Sequence, residues 1–290
     1  MPNLNKNLEK DLKKVESLMR KNLSKEPVVS DLYDYIFNKS GKKVRASISL
    51  ISSYGMNKNQ QNRVKLAAII ELLHTATLVH DDIVDNSDLR RGRTTVNVAW
   101  SNSHGVLIGD FIYSKAFMLM NEIGNLKVVD ELSSATNKIA EGELMQLENK
   151  NNLDTSLQQL KRISYYKTGR LFEASAKSAA MLSNKSISFI ENISKAAKLI
   201  GIAFQVRDDL LDYGISKGNI GKPEMQDILE DKITYPLYFA LKSSSKKDTS
   251  RILKKIKNKD FNAEEVSDFV SSSDAFNKCN SLIQSYSNEI

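Results

Sequence analysis

The sequence predicts an all-α fold, a single large bundle of about ten or more helices. No proline occurs between Pro27 and Pro223, only 12 of the 290 residues are glycine, and apolar residues recur at intervals of three and four positions. Residues 66–73 and 193–200 show this spacing. Because proline and glycine interrupt helices, and because the apolar period places one helix face against a core, the pattern favours helices throughout.

The predicted helices are separated by short polar segments that favour turns. These breaks fall at residues 38–42, 55–61, 86–95, 101–105, 124–126, 149–155, 183–186, 214–223 and 243–248. The intervals between them have the usual lengths of globular helices. No linker and no short repeat divides the chain, so we expect one domain over residues 1–290.

Composition excludes several classes of protein. With 41% hydrophobic residues, the 290-residue chain can bury a large core. No apolar run reaches the length of a membrane span, and residues 1–14 are charged without a signal-peptide pattern, so we expect a cytoplasmic protein. The single cysteine, Cys279, excludes an intramolecular disulfide and a cysteine-based zinc site.

The basic balance of the chain, +7 at neutral pH, raises the question of a nucleic-acid or membrane partner. The lysines are scattered, and no aromatic residues are interleaved with them as in nucleic-acid-binding motifs. The largest group is Lys246, Lys247, Lys254, Lys255, Lys257 and Lys259. We interpret this group as a solvated helix face, and we expect neither a nucleic-acid partner nor a membrane span.

Two acidic clusters carry the strongest functional signal. Asp81, Asp82 and Asp85 end one apolar, helix-patterned run, and Asp208, Asp209 and Asp212 end another. The spacing brings the three carboxylates of each cluster to one side of a helix. Carboxylates at a helix C-terminus are unfavourable unless a cation binds them, and Mg²⁺ is normally held by one or two carboxylates and substrate phosphates. A single DDxxD match is usually a solvated acidic turn, whereas two equivalent matches favour a diphosphate bound through metal ions.

Basic residues near these clusters favour a phosphate-bearing substrate. Arg90 and Arg91 follow the first cluster directly, and Lys42 and Arg45 follow Gly41 at a predicted helix start. Others are Lys167 beside Thr168, and Lys222 and Lys232 after the second cluster. Each residue by itself is equally compatible with an ordinary surface charge. His74, on an apolar helix, is by itself more typical of a core histidine.

These motifs resemble the trans-isoprenyl diphosphate synthase family, also called polyprenyl synthetases, over residues 35 to 245. The matching segments are 40–45 (SGKKVR), 71–93 (ELLHTATLVHDDIVDNSDLRRGR), 109–111, 141–146, 167–168, 204–212 and 221–236. Their type, order and spacing are those of the family. The resemblance implies an isoprenoid-synthase bundle around a central cavity, and a homodimer.

The resemblance also implies roles for single residues. Asp81, Asp82 and Asp85 with Asp208, Asp209 and Asp212 would hold Mg²⁺, three ions in each active site. Arg90, Lys167, Thr168, Gln205, Lys222 and Lys232 would bind the allylic diphosphate. Lys42, Arg45, His74 and Arg91 would bind the diphosphate of isopentenyl diphosphate. The residues expected to be catalytic are Asp81, Asp82, Arg90, Lys167 and Asp208.

The expected reaction is the stepwise elongation of an allylic diphosphate, farnesyl diphosphate, by isopentenyl diphosphate. Small residues before the first cluster, Ala76 and Thr77, suggest a deep tunnel and a long product, with octaprenyl diphosphate as a quinone side-chain precursor. Phe117, Met118 or Met120 would form the tunnel floor. A short- or medium-chain product is the alternative.

Ser40 and Ala46 depart from the family motif, which has glycine and proline there, and the basic C-terminal tail of some relatives is missing. Three other interpretations stay open. A class I terpene cyclase usually carries a different second motif, and an HD-type phosphohydrolase requires more histidines than the three present. A non-catalytic subunit of a heteromeric synthase would usually lack some of the aspartates.

Overall fold

The computed structural model describes residues 2–21, 24–38, 41–55, 60–150, 152–213 and 226–290. Within these ranges the chain forms α-helices, one π-helix and one two-stranded antiparallel hairpin. The helices are α1 Pro2–Lys21, α2 Pro27–Phe37, α3 Val44–Ser52, α4 Gln60–Val84, α5 Val96–Ala99, α6 Asn102–Ile123, α7 Leu126–Glu148, α8 Leu157–Ser164, α9 Arg170–Leu182, α10 Ile187–Asp212, α11 Gln226–Leu229, α12 Tyr235–Ser243, α13 Lys246–Lys257, α14 Ala263–Ser271 and α15 Ala275–Glu289. The π-helix spans Tyr165–Gly169, and the strands are β1 Leu89–Arg90 and β2 Arg93–Thr94.

The all-α prediction is confirmed, and among the described residues the helix boundaries follow the predicted breaks closely. The predicted break at 214–223 lies outside the described residues. One break is shorter than expected: α6 begins at Asn102 because the Ser101 hydroxyl accepts a hydrogen bond from the His104 N–H and caps the helix. The β-hairpin was not predicted and lies inside the 86–95 break.

The chain divides into two compact units. Unit 1 comprises Met1–Thr136 and Leu171–Ala197, and unit 2 comprises Asn137–Arg170 and Lys198–Ile290. The expectation of a single domain concerns how the two units combine and stays a prediction.

The core of unit 1 is built on α4, which packs along α6 and also contacts α1 and α3. The middle of α4 is mostly apolar, and its apolar side chains are fully buried. They include Leu66, Ile69, Ile70, Leu72, Leu73 and Ala76. Since burying one such leucine or isoleucine contributes about 1.5–3 kcal/mol, this segment fixes α4 firmly and thereby places the aspartates at its end.

The core of unit 2 lies among α12 to α15 and the end of α10. Val206 and Leu210 of α10 pack with Tyr235 and Cys279. Burial raises the pKa of the Cys279 thiol to about 12, so this residue is a packing group and not a nucleophile at neutral pH. In the part of the chain that the structure describes, no helix is long and apolar enough to cross a membrane.

Candidate functional site

Both aspartate clusters lie where the sequence predicts, at the C-terminal ends of long helices. Asp81 and Asp82 occupy the last turn of α4, and Asp85 follows the helix directly. In unit 2, α10 ends on Asp212. The predicted position of the clusters at helix ends is therefore confirmed.

Burial separates the middle aspartate of each cluster from the other two. Asp82 is 5% exposed and Asp209 is 4% exposed, whereas Asp208 is exposed and Asp81, Asp85 and Asp212 are partly exposed. Adjacent helix residues differ by about 100° in direction, so the middle carboxylate turns towards the protein. The outer aspartates of each cluster are therefore the more accessible to a cation.

In unit 1 the buried Asp82 is paired with an arginine of the hairpin. Arg90 Nε donates to Asp82 Oδ1 at 2.6 Å. The two-residue turn of the hairpin, Arg91 and Gly92, has positive φ at both positions (54° and 71°), as a type I′ turn requires. This turn returns the chain towards the first cluster. Its Arg-Gly pair is the local signal by which sequence reasoning could have found the hairpin.

The hairpin is attached to α2 by Tyr35, a residue that the sequence analysis missed. The Tyr35 hydroxyl donates to the Thr94 carbonyl at 2.7 Å, and the Arg93 guanidinium lies 4.2 Å from the centre of the Tyr35 ring. Trp100 packs edge-on against the same ring. Together these contacts hold the strand that follows Arg90 and Arg91.

Arg45 and His74 form a partly buried pair in unit 1. Arg45 Nη1 lies 3.0 Å from His74 Nε2, and the Arg45 guanidinium is also 4.6 Å from the centre of the Phe172 ring. Because arginine can only donate, Nε2 must accept, and the histidine proton sits on Nδ1. Burial, reinforced by Arg45, Arg91 and Arg90, holds the pKa of His74 well below its usual value, so the ring is neutral.

Glu71 supports this pair from the same helix and is a second residue that the sequence analysis did not single out. Its Oε1 accepts the Ala46 N–H at 3.0 Å, which fixes the start of α3 directly after Arg45. Burial raises the pKa of Glu71, an effect partly offset by the Ala46 N–H and by Arg45. An acidic residue inside the apolar run of residues 66–73, one turn before His74, is the signal that could have identified it.

Arg91 lies against the backbone before α3. A Cβ atom on Gly41 would come within 2.7 Å of Arg91 Nη2, so this approach depends on glycine. The next residue, Lys42, is exposed. The structure therefore brings together Arg45, His74, Arg90 and Arg91 and places Lys42 beside them in sequence.

In unit 2 the buried Asp209 is held by neutral donors. Gln205 Nε2 donates to Asp209 Oδ1 at 2.8 Å, and the Tyr235 N–H donates to Oδ2 at 3.3 Å. The Thr168 hydroxyl donates to Gln205 Oε1 at 2.6 Å and extends the chain of hydrogen bonds. Burial, with the nearby Asp227 carboxylate, raises the pKa of Asp209 well above its usual value.

Lys167 lies in the π-helix Tyr165–Gly169, and such insertions in helices are frequent at functional sites. Its Nζ donates to Glu143 Oε2 at 2.7 Å and to Gln146 Oε1 at 2.8 Å. Gly142 permits the close approach of α7 to the π-helix, since a Cβ atom on this glycine would lie 2.8 Å from the backbone nitrogen of Lys167. The lysine is thus held beside α7.

Asp212 and Lys232 complete the described part of the second region. The carboxylate of Asp212 accepts the N–H groups of Gln226 at 3.2 Å and Asp227 at 3.0 Å, at the start of α11. Lys232 donates to Glu230. The predicted substrate residue Lys222 lies outside the described residues.

A small cavity joins several of the predicted unit 2 residues. Its volume is about 50 Å³, which accommodates a few water molecules or the oxygens of one phosphate. The predicted site residues in its lining are Lys167, Gln205, Asp209 and Lys232. These four side chains therefore share one polar space.

The predicted product-length residues do not share one environment. Ala76 is fully buried, Met120 is 1% exposed, and both belong to the core of unit 1. Thr77 is partly buried, and its hydroxyl donates to the His74 carbonyl at 2.7 Å. Phe117 is 41% exposed and Met118 is 58% exposed, so neither side chain belongs to the buried core that would enclose a tunnel.

Among the residues that the structure describes, no group of three or more His, Cys, Asp or Glu side chains is close enough to hold a metal ion alone. Mg²⁺ bound by one or two carboxylates plus phosphate oxygens does not require such a group. The outer aspartates of each cluster are hard oxygen donors of the kind that this ion prefers.

Comparison with known proteins gives concordant results. The sequence matches the family described as Polyprenyl synthetase over residues 26–272. It is 41% identical over 214 residues to octaprenyl diphosphate synthase of Escherichia coli (strain K12), a match that covers 74% of this chain and 66% of that protein's length. It is 40% identical over 222 residues to the geranyl-diphosphate-specific all-trans-nonaprenyl-diphosphate synthase of Rhodobacter capsulatus, covering 76% of this chain and 68% of that protein. The fold is similar to the crystal structure of a polyprenyl synthase from Caulobacter crescentus CB15 complexed with calcium and isoprenyl diphosphate, with a TM-score of 0.93, 30% identity, and coverage of 98% and 88% of the two chains.

Proposed function

Since the chain belongs to the polyprenyl synthetase family, we propose that it is a Mg²⁺-dependent trans-polyprenyl diphosphate synthase. It elongates an allylic diphosphate, farnesyl diphosphate, with successive isopentenyl diphosphate units and makes a long-chain product, octaprenyl diphosphate. The observation that carries the proposal is the placement of two aspartate clusters at the ends of α4 and α10, each beside basic residues. The long product is supported by the names of the relatives, which make octaprenyl and nonaprenyl chains.

We propose that Asp81 and Asp85 in unit 1, and Asp208 and Asp212 in unit 2, contact Mg²⁺, with Asp82 and Asp209 supporting them from buried positions. When bound, Mg²⁺ supplies positive charge for the diphosphate that leaves the allylic substrate. The calcium and isoprenyl diphosphate in the Caulobacter crescentus structure support a site of this kind. Three ions for each site stay a prediction.

The basic residues divide into two groups in this proposal. Arg90, Lys167 and Lys232, with Lys222, hold the allylic diphosphate and stabilise the charge that develops on it as its C–O bond breaks. Lys42, Arg45 and Arg91 hold the diphosphate of isopentenyl diphosphate. His74, neutral and protonated on Nδ1, accepts from Arg45 and keeps that guanidinium pointed towards the substrate.

The reaction requires no nucleophilic side chain. The double bond of isopentenyl diphosphate attacks the allylic carbocation, and the new cation loses a proton to the departing pyrophosphate. Holding both substrates in one geometry makes the coupling effectively intramolecular, which favours it strongly. Gln205 and Thr168, linked to Asp209, orient the region around the allylic diphosphate.

The test is to incubate the protein with Mg²⁺, farnesyl diphosphate and isopentenyl diphosphate, then measure pyrophosphate and the mass of the prenyl product. We expect Mg²⁺-dependent pyrophosphate release and a long-chain polyprenyl diphosphate. The sample with a chelator is the control. No pyrophosphate from the homogeneous, folded protein would exclude a self-sufficient synthase and favour the non-catalytic subunit. A short product would retain the reaction class and correct the chain length.

Product length is proposed to depend on Ala76, Thr77 and Met120. Because Ala76 is fully buried on α4, the Ala76→Tyr substitution should fill space below the aspartates and shorten the product by one or more isoprene units. Reversed-phase chromatography measures the length, and Thr77→Ser is a control of nearly the same shape. If the Ala76→Tyr enzyme is folded and its product length is unchanged, Ala76 does not line the product tunnel.

The proposed homodimer is supported by exposed apolar side chains on α6. Leu107 is 67% exposed and Val106 is 43% exposed. Further along the helix, Phe117 is 41% exposed and Met118 is 58% exposed. Exposed apolar patches commonly mark interfaces between protein chains. A sedimentation-equilibrium mass of one chain at micromolar concentration would exclude the dimer. The cytoplasmic location stays a prediction.

A further inference from the structure

The helix α13, Lys246–Lys257, presents four lysines on one side. At about 100° for each residue, Lys246, Lys257, Lys254 and Lys247 fall within an arc of roughly 100°, with Ser250 among them. All four are exposed, and over the described ranges none of them makes an ion pair. We call these four residues the α13 lysine face.

The other cations of the same basic segment are neutralised. Lys255 donates to both carboxylate oxygens of Glu265 at 2.7 Å, and Lys259 lies 3.2 Å from Asp231. The sequence alone did not separate these two lysines from the four on the exposed side. The structure therefore shows that the unpaired positive charge of this basic segment is concentrated on one compact surface.

Acidic residues lie on a different flank of α13. Asp248, with Glu264, Glu265, Asp268 and Asp274, lines an open groove of about 800 Å³ that also contains Arg251. Asp248 is about 150° around the helix from the centre of the α13 lysine face. The charges of opposite sign are thus segregated, whereas an ordinary solvated helix face usually mixes them.

The helix is fixed in this orientation by its apolar side. Ile252 is fully buried and Ile256 is 3% exposed, and both pack with Val266 and Phe269 of α14. The Ser245 side chain accepts the Asp248 N–H and caps the first turn. The α13 lysine face is therefore a rigid surface that points outward from unit 2.

We propose that the α13 lysine face docks the protein onto an anionic lipid bilayer. The inference rests on the proposed function, because a long polyprenyl chain is insoluble in water and must pass from the enzyme into a bilayer. Clusters of four or more lysines on an amphipathic helix bind anionic lipid headgroups, and each lysine near such a surface strengthens binding about fivefold. Lipid is favoured over nucleic acid because the face contains no aromatic or arginine side chain to stack on bases.

The experiment compares two variants of the full-length protein with the same change in net charge. One carries Lys246→Gln, Lys247→Gln, Lys254→Gln and Lys257→Gln. The matched control carries Lys10→Gln, Lys25→Gln, Lys127→Gln and Lys195→Gln, four exposed lysines dispersed over other parts of the chain. Circular dichroism checks that both variants are folded. Binding is measured by co-sedimentation with vesicles of phosphatidylcholine, with or without phosphatidylglycerol as one third of the lipid.

The wild-type protein and the control variant should bind the anionic vesicles and not the neutral ones, and added salt should weaken this binding. The α13 variant should bind roughly 600-fold more weakly, because four lysines that each contribute about fivefold are removed together. Equal binding by the α13 variant and the wild type would overturn the proposal, as would an equal loss in the control. Tighter binding of the wild type to a single-stranded oligonucleotide at the same salt would overturn it in favour of nucleic acid.

Vesicle binding is measured without substrates, so it does not depend on catalysis. In detergent, the α13 variant and the wild type should turn over substrate equally, while anionic vesicles should increase turnover several-fold only in the wild type. If the protein binds vesicles but transfers no prenyl group, the proposed function is wrong and the proposed docking surface is retained. If the enzyme is active but does not bind anionic vesicles, only the proposed docking surface is wrong.

Discussion

The two aspartate clusters have the same spacing and the same place at a helix end, but their described surroundings carry opposite charge. Around the first, Arg45, Arg90 and Arg91 surround the neutral His74. Around the second, Asp227 adds to the cluster's own carboxylates, and the neighbouring Lys167 donates to Glu143. The arginines beside the first cluster therefore form a more positive surrounding than the second cluster has, where Lys167 is paired with a carboxylate. Both clusters are proposed to bind Mg²⁺, so the two regions differ in the groups around the aspartates and not in the role of the aspartates.

The largest effect should come from removing one outer aspartate in each cluster. Asp81→Asn and Asp208→Asn replace a charged ligand by a neutral one, and we expect either change to lower kcat by roughly 100- to 1,000-fold. Pyrophosphate release at saturating substrates measures it. Asp88→Asn and Asp154→Asn, two exposed carboxylates outside the clusters, are the controls. If only one variant lost activity, the other cluster would not be required for the reaction.

The buried middle aspartates should differ in what they contribute to stability. Asp82→Asn leaves the Arg90 guanidinium without its charged acceptor, so we expect a loss of about 1–2 kcal/mol in the free energy of unfolding. Asp209→Asn removes one of the two oxygens that accept from Gln205 and the Tyr235 N–H, but it also removes a buried charge that Asp227 disfavours. Because these effects offset each other, we expect a smaller loss than in Asp82→Asn, less than about 1 kcal/mol at pH 8.

Urea denaturation at pH 8 measures both free energies. The Asp88→Asn variant serves again as the reference for an exposed carboxylate. Equal losses in the two middle-aspartate variants would show that the charges around each cluster do not determine how much its buried aspartate contributes to stability.

The aspartates and their partners show how much of the site could be predicted from the sequence. The helix ends at Val84 and Asp212 follow from apolar periodicity and turn residues, which are local properties, and the structure confirms them to within one or two residues. The burial of Asp82 and Asp209 depends on Arg90 and on the Tyr235 N–H, partners that only the tertiary fold brings near. Local sequence could not have supplied those contacts.

The hairpin and the lysines illustrate the same limit. Two-residue strands are too short to produce an alternating apolar pattern, so residues 89–94 read as a loop. Lys255 and Lys254 are adjacent and chemically identical in the sequence, yet only Lys255 meets Glu265. Side-chain partners across the fold, and not composition, decide which charges remain accessible.

The pH dependence of stability should reveal how burial and the neighbouring arginines suppress protonation of His74. The folded-state pKa of His74 is lowered, so its contribution is fully present above the unfolded value of 6.5 and is lost as pH falls below 6.5, where only the unfolded chain takes up the proton. From pH 7 to pH 5.5 we expect the wild type to lose about 1 kcal/mol more than His74→Gln, whose amide oxygen still accepts from Arg45.

Chemical denaturation at a series of pH values measures this difference, and His104→Gln, outside the cluster, is the control. A wild-type curve parallel to that of His74→Gln would mean that neither burial nor the arginines suppress protonation of the histidine. The proposed electrostatic contrast between the two regions would then lose its support in unit 1.

The smallest effect is expected at Gly41, where glycine admits the Arg91 guanidinium. In Gly41→Ala the new Cβ would lie 2.7 Å from Arg91 Nη2, so the flexible end of the arginine must move while the backbone is unstrained. We expect the KM for isopentenyl diphosphate to rise about two- to tenfold, the free energy of unfolding to change by less than about 0.5 kcal/mol, and the KM for the allylic substrate to stay constant. That allylic KM is the internal control, because Arg91 is assigned to the other diphosphate. A rise in both constants would place Arg91 between the two substrates and weaken the division of work between the clusters.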